Sequence, residues 1–149
     1  MTTGEKDYAT EIIEQRWLSK KTFEIRLSRP GPFNFSPGQR ISLKFKNFER
    51  DYSLASSPDE SHLGLCIRHV EGGRLSRVLG AAAKGTRFSF YGPHGYITFK
   101  PSQRPAVLVA SGTGIAPFRC MVRSGRTPQF LLHGVETSSE LSYAQEMQA

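Results

Sequence analysis

Cysteine is scarce: Cys66 and Cys120 are the only two in 149 residues. Two are too few for a disulfide scaffold, and their spacing fits neither zinc nor iron–sulfur ligation. The chain is therefore expected to carry no cluster of its own, and each thiol reads as a small buried hydrophobe. Long apolar runs are also missing. The densest, residues 106–110, is far short of the roughly 20 residues needed to cross a bilayer. Residues 1–7 have no apolar core of the signal-peptide kind, so no membrane insertion and a cytoplasmic location are expected. His62, His69 and His94 have no metal-ligand spacing. There are no internal repeats and no low-complexity segments. Basic residues outnumber acidic ones 20 to 13, giving a net charge of +7. They are dispersed, with the tightest cluster at 44–50 and no long run of one sign. A solvated surface explains this first, attraction of an acidic redox protein second, and nucleic acid third.

What is present changes character near Pro105. Up to about Lys100 short segments alternate apolar and polar residues between turn formers: 11–18, 22–27, 41–45, 63–67 and 87–90. This spacing predicts an antiparallel β barrel, with 22–27 as a half-buried strand. Residues 74–83 interrupt it with Leu75, Val78, Leu79 and Ala82 at helical spacing. Phe23, Phe33, Phe35, Phe45, Phe88 and Phe90 suit a barrel core, and Trp17 is most simply another barrel residue. From 106 the pattern is a strand buried on both faces, a glycine turn, a short helix to about Arg123, a second buried strand at 129–134, and a second helix opening at Ser138, which is placed to cap it. The reading is a six-stranded antiparallel β barrel with one helix over 1–103, then an incomplete α/β domain over 104–149. Two strands are too few to cover their own faces, so the α/β unit reads as cut short.

Three stretches carry chemistry. Arg50, Asp51, Tyr52 and Ser53 alternate along one strand, so Arg50 and Tyr52 share a face and Asp51 and Ser53 share the other. A flavin dinucleotide needs a cation for its phosphates, an aromatic plane beside its rings and a small hydrogen-bonding group near the reactive nitrogen. Arg50, Tyr52 and Ser53 offer these in order; an ordinary edge strand explains the same residues. Gly72 and Gly73 precede Arg74, Leu75 and Ser76, a turn that lets backbone approach an anion, or simply a surface turn before a helix. Gly112, Thr113 and Gly114, followed by Ile115, Ala116 and Pro117, lie between a buried strand and a helix, as in a dinucleotide-binding loop.

In this order and spacing the three stretches resemble the ferredoxin–NADP reductase superfamily, over nearly the whole chain to Tyr143. The resemblance implies an FAD-binding barrel followed by the start of an NAD(P)-binding domain. It implies that Arg50 meets the FAD phosphates, Tyr52 the ring and ribityl chain, and Ser53 the reactive nitrogen, with Tyr52 and Ser53 nearest the chemistry and Asp51 in the same strand motif. Cys66, Ile67, Arg68 and His69 would contact the flavin mainly through backbone. Gly73, Arg74, Leu75 and Ser76 would hold the pyrophosphate. Gly112, Thr113 and Gly114, with His133 and Gly134, would line the nicotinamide cleft. The segment 91–96 has turn duty only. The implied activity passes electrons from NADH or NADPH through FAD to an acidic iron–sulfur protein or another acceptor. Glu136 stands where NADP-using relatives often place an arginine, which leans toward NADH; a solvated loop glutamate is the plain alternative. A flavin-binding fragment or accessory subunit without turnover, and a basic barrel binding nucleic acid without flavin, are the other readings.

Overall fold

The structure, a computed structural model, describes residues 5–148. Six strands form one antiparallel sheet: β1 (Tyr8–Trp17), β2 (Thr22–Ser28), β3 (Arg40–Phe45), β4 (Phe48–Ser53), β5 (His62–Arg68) and β6 (Arg87–His94). Their order is β4-β3-β6-β1-β2-β5. The sheet curls until Leu54, just past β4, bridges Leu65 on β5, and the Ala55 N–H donates to the Gly64 carbonyl at 2.8 Å. That seam is tight: a Cβ on Gly64 would lie 3.3 Å from Ser56. Inside, alternation places Phe23, Ile25, Leu27, Ile41, Leu43, Leu65 and Phe90 fully out of solvent, with Phe33 edge-on to Phe90 at 5.0 Å. Burial on this scale is the main favourable contribution to the fold. The helix α1 (Leu75–Ala81) covers one barrel end with Leu75 and Leu79.

The second unit comprises β7 (Val107–Ser111), a 3-10 turn at Gly112–Gly114, α2 (Ile115–Arg123) and β8 (Phe130–Gly134), which pairs in parallel with β7. A second 3-10 turn, Ser138–Glu140, and the short α3 (Ala144–Met147) follow. This unit docks on the outer face of β2 and β5, where Ala55 and Cys66 of the barrel pack with Ala110, Ile115, Ala116 and Tyr143. Among the described residues no helix is long and apolar enough to cross a membrane.

Four expectations change. Strand β2 is buried on both faces, because its outward Thr22 and Glu24 lie under the second unit. Strands β7 and β8 are covered on one face only, leaving Val107, Val109, Phe130 and Leu132 54–67% exposed; an apolar run alone does not say how many layers flank it. Residues 91–94 continue strand β6, with Tyr91 opposite Ser42 and His94 opposite Arg40, rather than serving only as a turn. Ser138 starts a 3-10 turn with no side-chain cap hydrogen bond, rather than capping a longer helix.

Candidate flavin and nucleotide site

Strand β4 pairs residue by residue with β3: Arg50 opposite Leu43, Asp51 opposite Ser42, Tyr52 opposite Ile41, Ser53 opposite Arg40. Arg50 and Tyr52 thus share the side of the core residues Ile41 and Leu43, and Tyr52 packs against the barrel core. Its burial pushes the phenol up to about 12, so it stays a hydrogen-bond donor at neutral pH. Asp51 accepts from the Ser42 hydroxyl and from Arg40 Nε at 2.9 Å; these contacts hold its carboxyl below the ordinary range. Arg50 is exposed, and among the described residues its guanidinium reaches no side-chain acceptor, only the Glu49 carbonyl at 2.8 Å.

A groove of about 390 Å³ joins the three stretches. It is lined by Arg50, Asp51 and Tyr52 from β4, Cys66 and Arg68 from β5, Val70, the turn Gly73, Arg74, Leu75 and Ser76, and Thr113 from the second unit. The turn is closely built. The Gly73 N–H donates to the Val70 carbonyl at 2.9 Å, and Ser76 Oγ accepts from the Val70 N–H at 3.3 Å. A Cβ on Gly73 would lie 2.6 Å from Ser76 Oγ and 2.9 Å from the Val70 carbonyl. The turn therefore requires glycine on steric grounds.

Two cavities adjoin the groove. The wider, about 620 Å³, shares Gly73 and Arg74 with it and adds Trp17, Phe48, His69, Arg77 and Gly80. Aromatic faces beside two guanidinium groups suit a flat heterocycle carrying phosphate. The other, about 380 Å³, shares Arg68 and Thr113 and adds Lys21, Ser111, Gly112, Gly134, Glu136 and Glu140. Thr113 thus faces two cavities from one position on the turn that enters α2.

Not every residue named from sequence lines the groove. Ile67 points into the barrel core at 1% exposure. His69 lines the wider cavity instead. Ser53 ends β4, half-buried beside Tyr52 and opposite Arg40. Gly114 opens onto free space. His133 lies within hydrogen-bond distance of the Gly112 carbonyl, Nε2 to oxygen 2.7 Å, a bond that braces the glycine turn. Cys66 is a groove wall whose thiol burial pushes up to about 11, so it is inert. Trp17, Phe48, Lys21 and Arg77 were missed from sequence. None belongs to a motif, and only the barrel's curvature and the docking of α1 bring them to the site.

A family described as "oxidoreductase FAD-binding domain" matches residues 9–99. The reductase component of the naphthalene 1,2-dioxygenase system of Pseudomonas putida, a ferredoxin–NAD(P)(+) reductase, is 36% identical over 135 residues, covering 85% of this chain and 40% of that protein. The toluate 1,2-dioxygenase electron transfer component of Pseudomonas putida is 31% identical over 157 residues, covering 99% and 47%. In three dimensions the chain matches a ferredoxin NADP+ reductase from Neisseria gonorrhoeae, solved with bound FAD and NADP. The TM-score is 0.89 at 22% identity, over 97% of this chain and 64% of that one. It also matches a cytochrome P450 reductase from Amycolatopsis, with TM-score 0.86 at 27% identity, over 96% and 47%. The chain spans less than half the length of the two curated Pseudomonas putida relatives.

Proposed function

The chain belongs to the oxidoreductase FAD-binding domain family, in its ferredoxin reductase-like branch, and from that premise we propose that it binds FAD in the groove between β4 and the Gly73 turn and serves electron transfer from NADH or NADPH to an iron–sulfur protein. The observation that carries this is the single groove on which Arg50, Tyr52, Gly73, Arg74, Ser76 and Thr113 converge. The residues fit the group. Arg50 and Arg74 supply charge for the two phosphates, and the Gly73 turn lets backbone approach them. Tyr52 presents a buried aromatic face and a protonated hydroxyl to the ring system and its chain. Ser53, beside Tyr52 at the end of β4 though outside the groove lining, would offer a hydroxyl toward the reactive ring nitrogen. The wider cavity at Trp17 and Phe48 receives the adenosine half. FAD supplies the exchange between two-electron hydride chemistry and one-electron transfer.

Thr113, shared by groove and cleft, would stand where a nicotinamide ring could reach a flavin. Gly112 and Gly134 line the nucleotide side of that meeting point, and His133 holds the turn. Contact between stacked rings is what hydride transfer requires, so no acid–base pair is invoked. The net charge of +7 suits an acidic iron–sulfur acceptor by electrostatic steering, and the cytoplasm is the compartment proposed. The test is titration of the purified chain with FAD. A yellow protein with a resolved flavin absorption band supports the proposal, and a colourless one that leaves the spectrum of added FAD unchanged overturns it. Replacing Ser53→Ala should then slow flavin reduction more than it weakens FAD binding; an unchanged reduction rate removes Ser53 from its role.

A further inference from the structure

Glu24 is a charged residue in the middle of a barrel strand, 2% exposed. It lies directly opposite Cys66 in the β2–β5 ladder. Since Phe23, Ile25, Leu65 and Ile67 fill the core, Glu24 and Cys66 project together from the outer face, where the second unit docks. Two groups of that unit meet the carboxylate. The Tyr143 hydroxyl donates to Glu24 Oε2 at 2.6 Å, and Arg119 Nη1 lies 3.6 Å from the same oxygen. Arg16 and Arg26 approach Oε1, each at 3.4 Å.

Arg119 is itself 4% exposed. It donates from Nη1 to the Ala55 carbonyl at 3.2 Å and from Nε to Glu146 at 2.9 Å, and its guanidinium lies 4.2 Å above the Tyr143 ring. Tyr143 has a backbone φ of 62°, a left-handed conformation that bulky residues seldom adopt. The fold keeps this conformation where the phenol reaches Glu24. Burial, together with the nearby Cys66 and Glu24, pushes that phenol far above its ordinary range, so it remains the donor.

We infer that Glu24, Arg119 and Tyr143 form an interdomain clasp that positions the Thr113 turn against the flavin groove. The path is short at both ends. Arg119 sits on α2, the helix that begins directly after the Thr113 turn. Its carbonyl partner, Ala55, lies two residues past the end of β4, the strand that carries Tyr52. Glu24 sits beside Cys66, a wall of the groove. Buried charges gain directional partners at the expense of hydration, so such a cluster fixes geometry more than it adds stability. The apolar contacts around Ala55 and Ile115 pack the units together, and the hydrogen bonds and ion pairs of the cluster add a direction that apolar burial does not carry. These are positioning residues, and none lines the groove itself.

The inference rests on the flavin reading for its purpose but not for its geometry, and the test separates the two. Spin labels introduced at the exposed positions Lys84→Cys and Arg126→Cys report the barrel-to-α2 distance without flavin; the native Cys66 and Cys120 are buried and spared. The clasp predicts one narrow distance distribution in the parent and broadened distributions in Tyr143→Phe and in Glu24→Gln. The visible circular dichroism of bound FAD should change in both variants while FAD affinity stays within about twofold. A distribution in both variants as narrow as the parent's, or an unaltered flavin signal, overturns the clasp. If no FAD binds to the parent, the flavin reading fails and the distance measurement still decides the clasp.

Discussion

Lys21, in the turn between β1 and β2, reaches Glu136, just past β8, with Nζ and Oε2 3.2 Å apart across the mouth of the nucleotide cleft. Arg68 approaches the other oxygen at 3.8 Å. Lys21 holds the Glu136 carboxyl below the ordinary range. Glu136, 65% exposed, pairs with two cations that line the same cleft. Under the proposed function it would neutralise charge that could otherwise meet a ribose phosphate. Replacing Glu136→Gln should shift preference toward NADPH over NADH by on the order of threefold to tenfold, with the gain shrinking as salt rises. Nucleotide affinities measured at two ionic strengths check this, and a preference unmoved at low salt would contradict it.

Trp17 is the only tryptophan, and it lines the wider cavity beside Phe48 and Arg74. If that cavity takes the adenosine half, FAD quenches Trp17 fluorescence on binding, whereas FMN, which lacks adenosine, leaves it nearly unchanged. Stacking of a base on an aromatic side chain contributes roughly 1–3 kcal/mol. Trp17→Ala should therefore weaken FAD by about tenfold or more and leave FMN affinity alone. Calorimetric titration with both flavins makes the comparison, and equal losses for the two would move the adenosine elsewhere.

Gly72 and Gly73 are adjacent but constrained differently. Gly72 has φ of +78° with open space where a Cβ would stand; Gly73 would put its Cβ into Ser76 and the Val70 carbonyl. Gly72→Ala is expected to cost about 1 kcal/mol of stability through backbone strain and to leave FAD affinity intact. Gly73→Ala should displace the Ser76 hydroxyl and lower FAD affinity at least tenfold, with a smaller effect on the thermal midpoint. A melting curve and a flavin titration for each variant separate the two constraints.

The barrel was legible because alternation in segments such as 22–27 and 63–67 reports an inside and an outside, and because Gly73 and Thr113 sit in turns and Arg50 within a short polar strand. What stayed hidden depends on pairing across long stretches of chain. Glu24 looked like the solvent side of a half-buried strand; its partners Arg119 and Tyr143 belong to a unit that begins more than eighty residues later. Trp17 was legible as a barrel residue, but side-chain type does not reveal which way a strand end faces, so its place on the wider cavity was not. The run 106–110 looked doubly buried, yet only its Leu108 and Ala110 side is covered, since composition does not count the layers packed on a sheet. Lys21 could not be linked to Glu136 because neither lies in a motif.

Acid should loosen the second unit from the barrel before it unfolds the barrel itself. Arg123 on α2 bridges Glu60 of the barrel, Nε to Oε2 3.1 Å, and Glu146 of α3, Nη1 to Oε1 2.7 Å. Burial works against the charge on both carboxyls. Hydrogen bonds outweigh it, from Arg123 and the Ser57 N–H on Glu60 and from Arg123 and Arg119 on Glu146, and both carboxyls end below their ordinary range. A carboxyl whose folded value lies below its unfolded one binds protons more readily when unfolded, so its stabilising contribution is full above the unfolded value, about 4.3 for glutamate, and is lost as pH falls through the folded value. Stability should therefore be flat from neutral pH to about 5 and decline below about 4. Glu60→Gln should flatten that decline by removing one titrating partner, at the expense of lower stability at neutral pH. Denaturant melts between pH 7 and pH 3, followed by Trp17 fluorescence for the barrel and by scattering for the separation of the two units, test this; a parent and variant with parallel acid limbs would show that the bridge does not govern them.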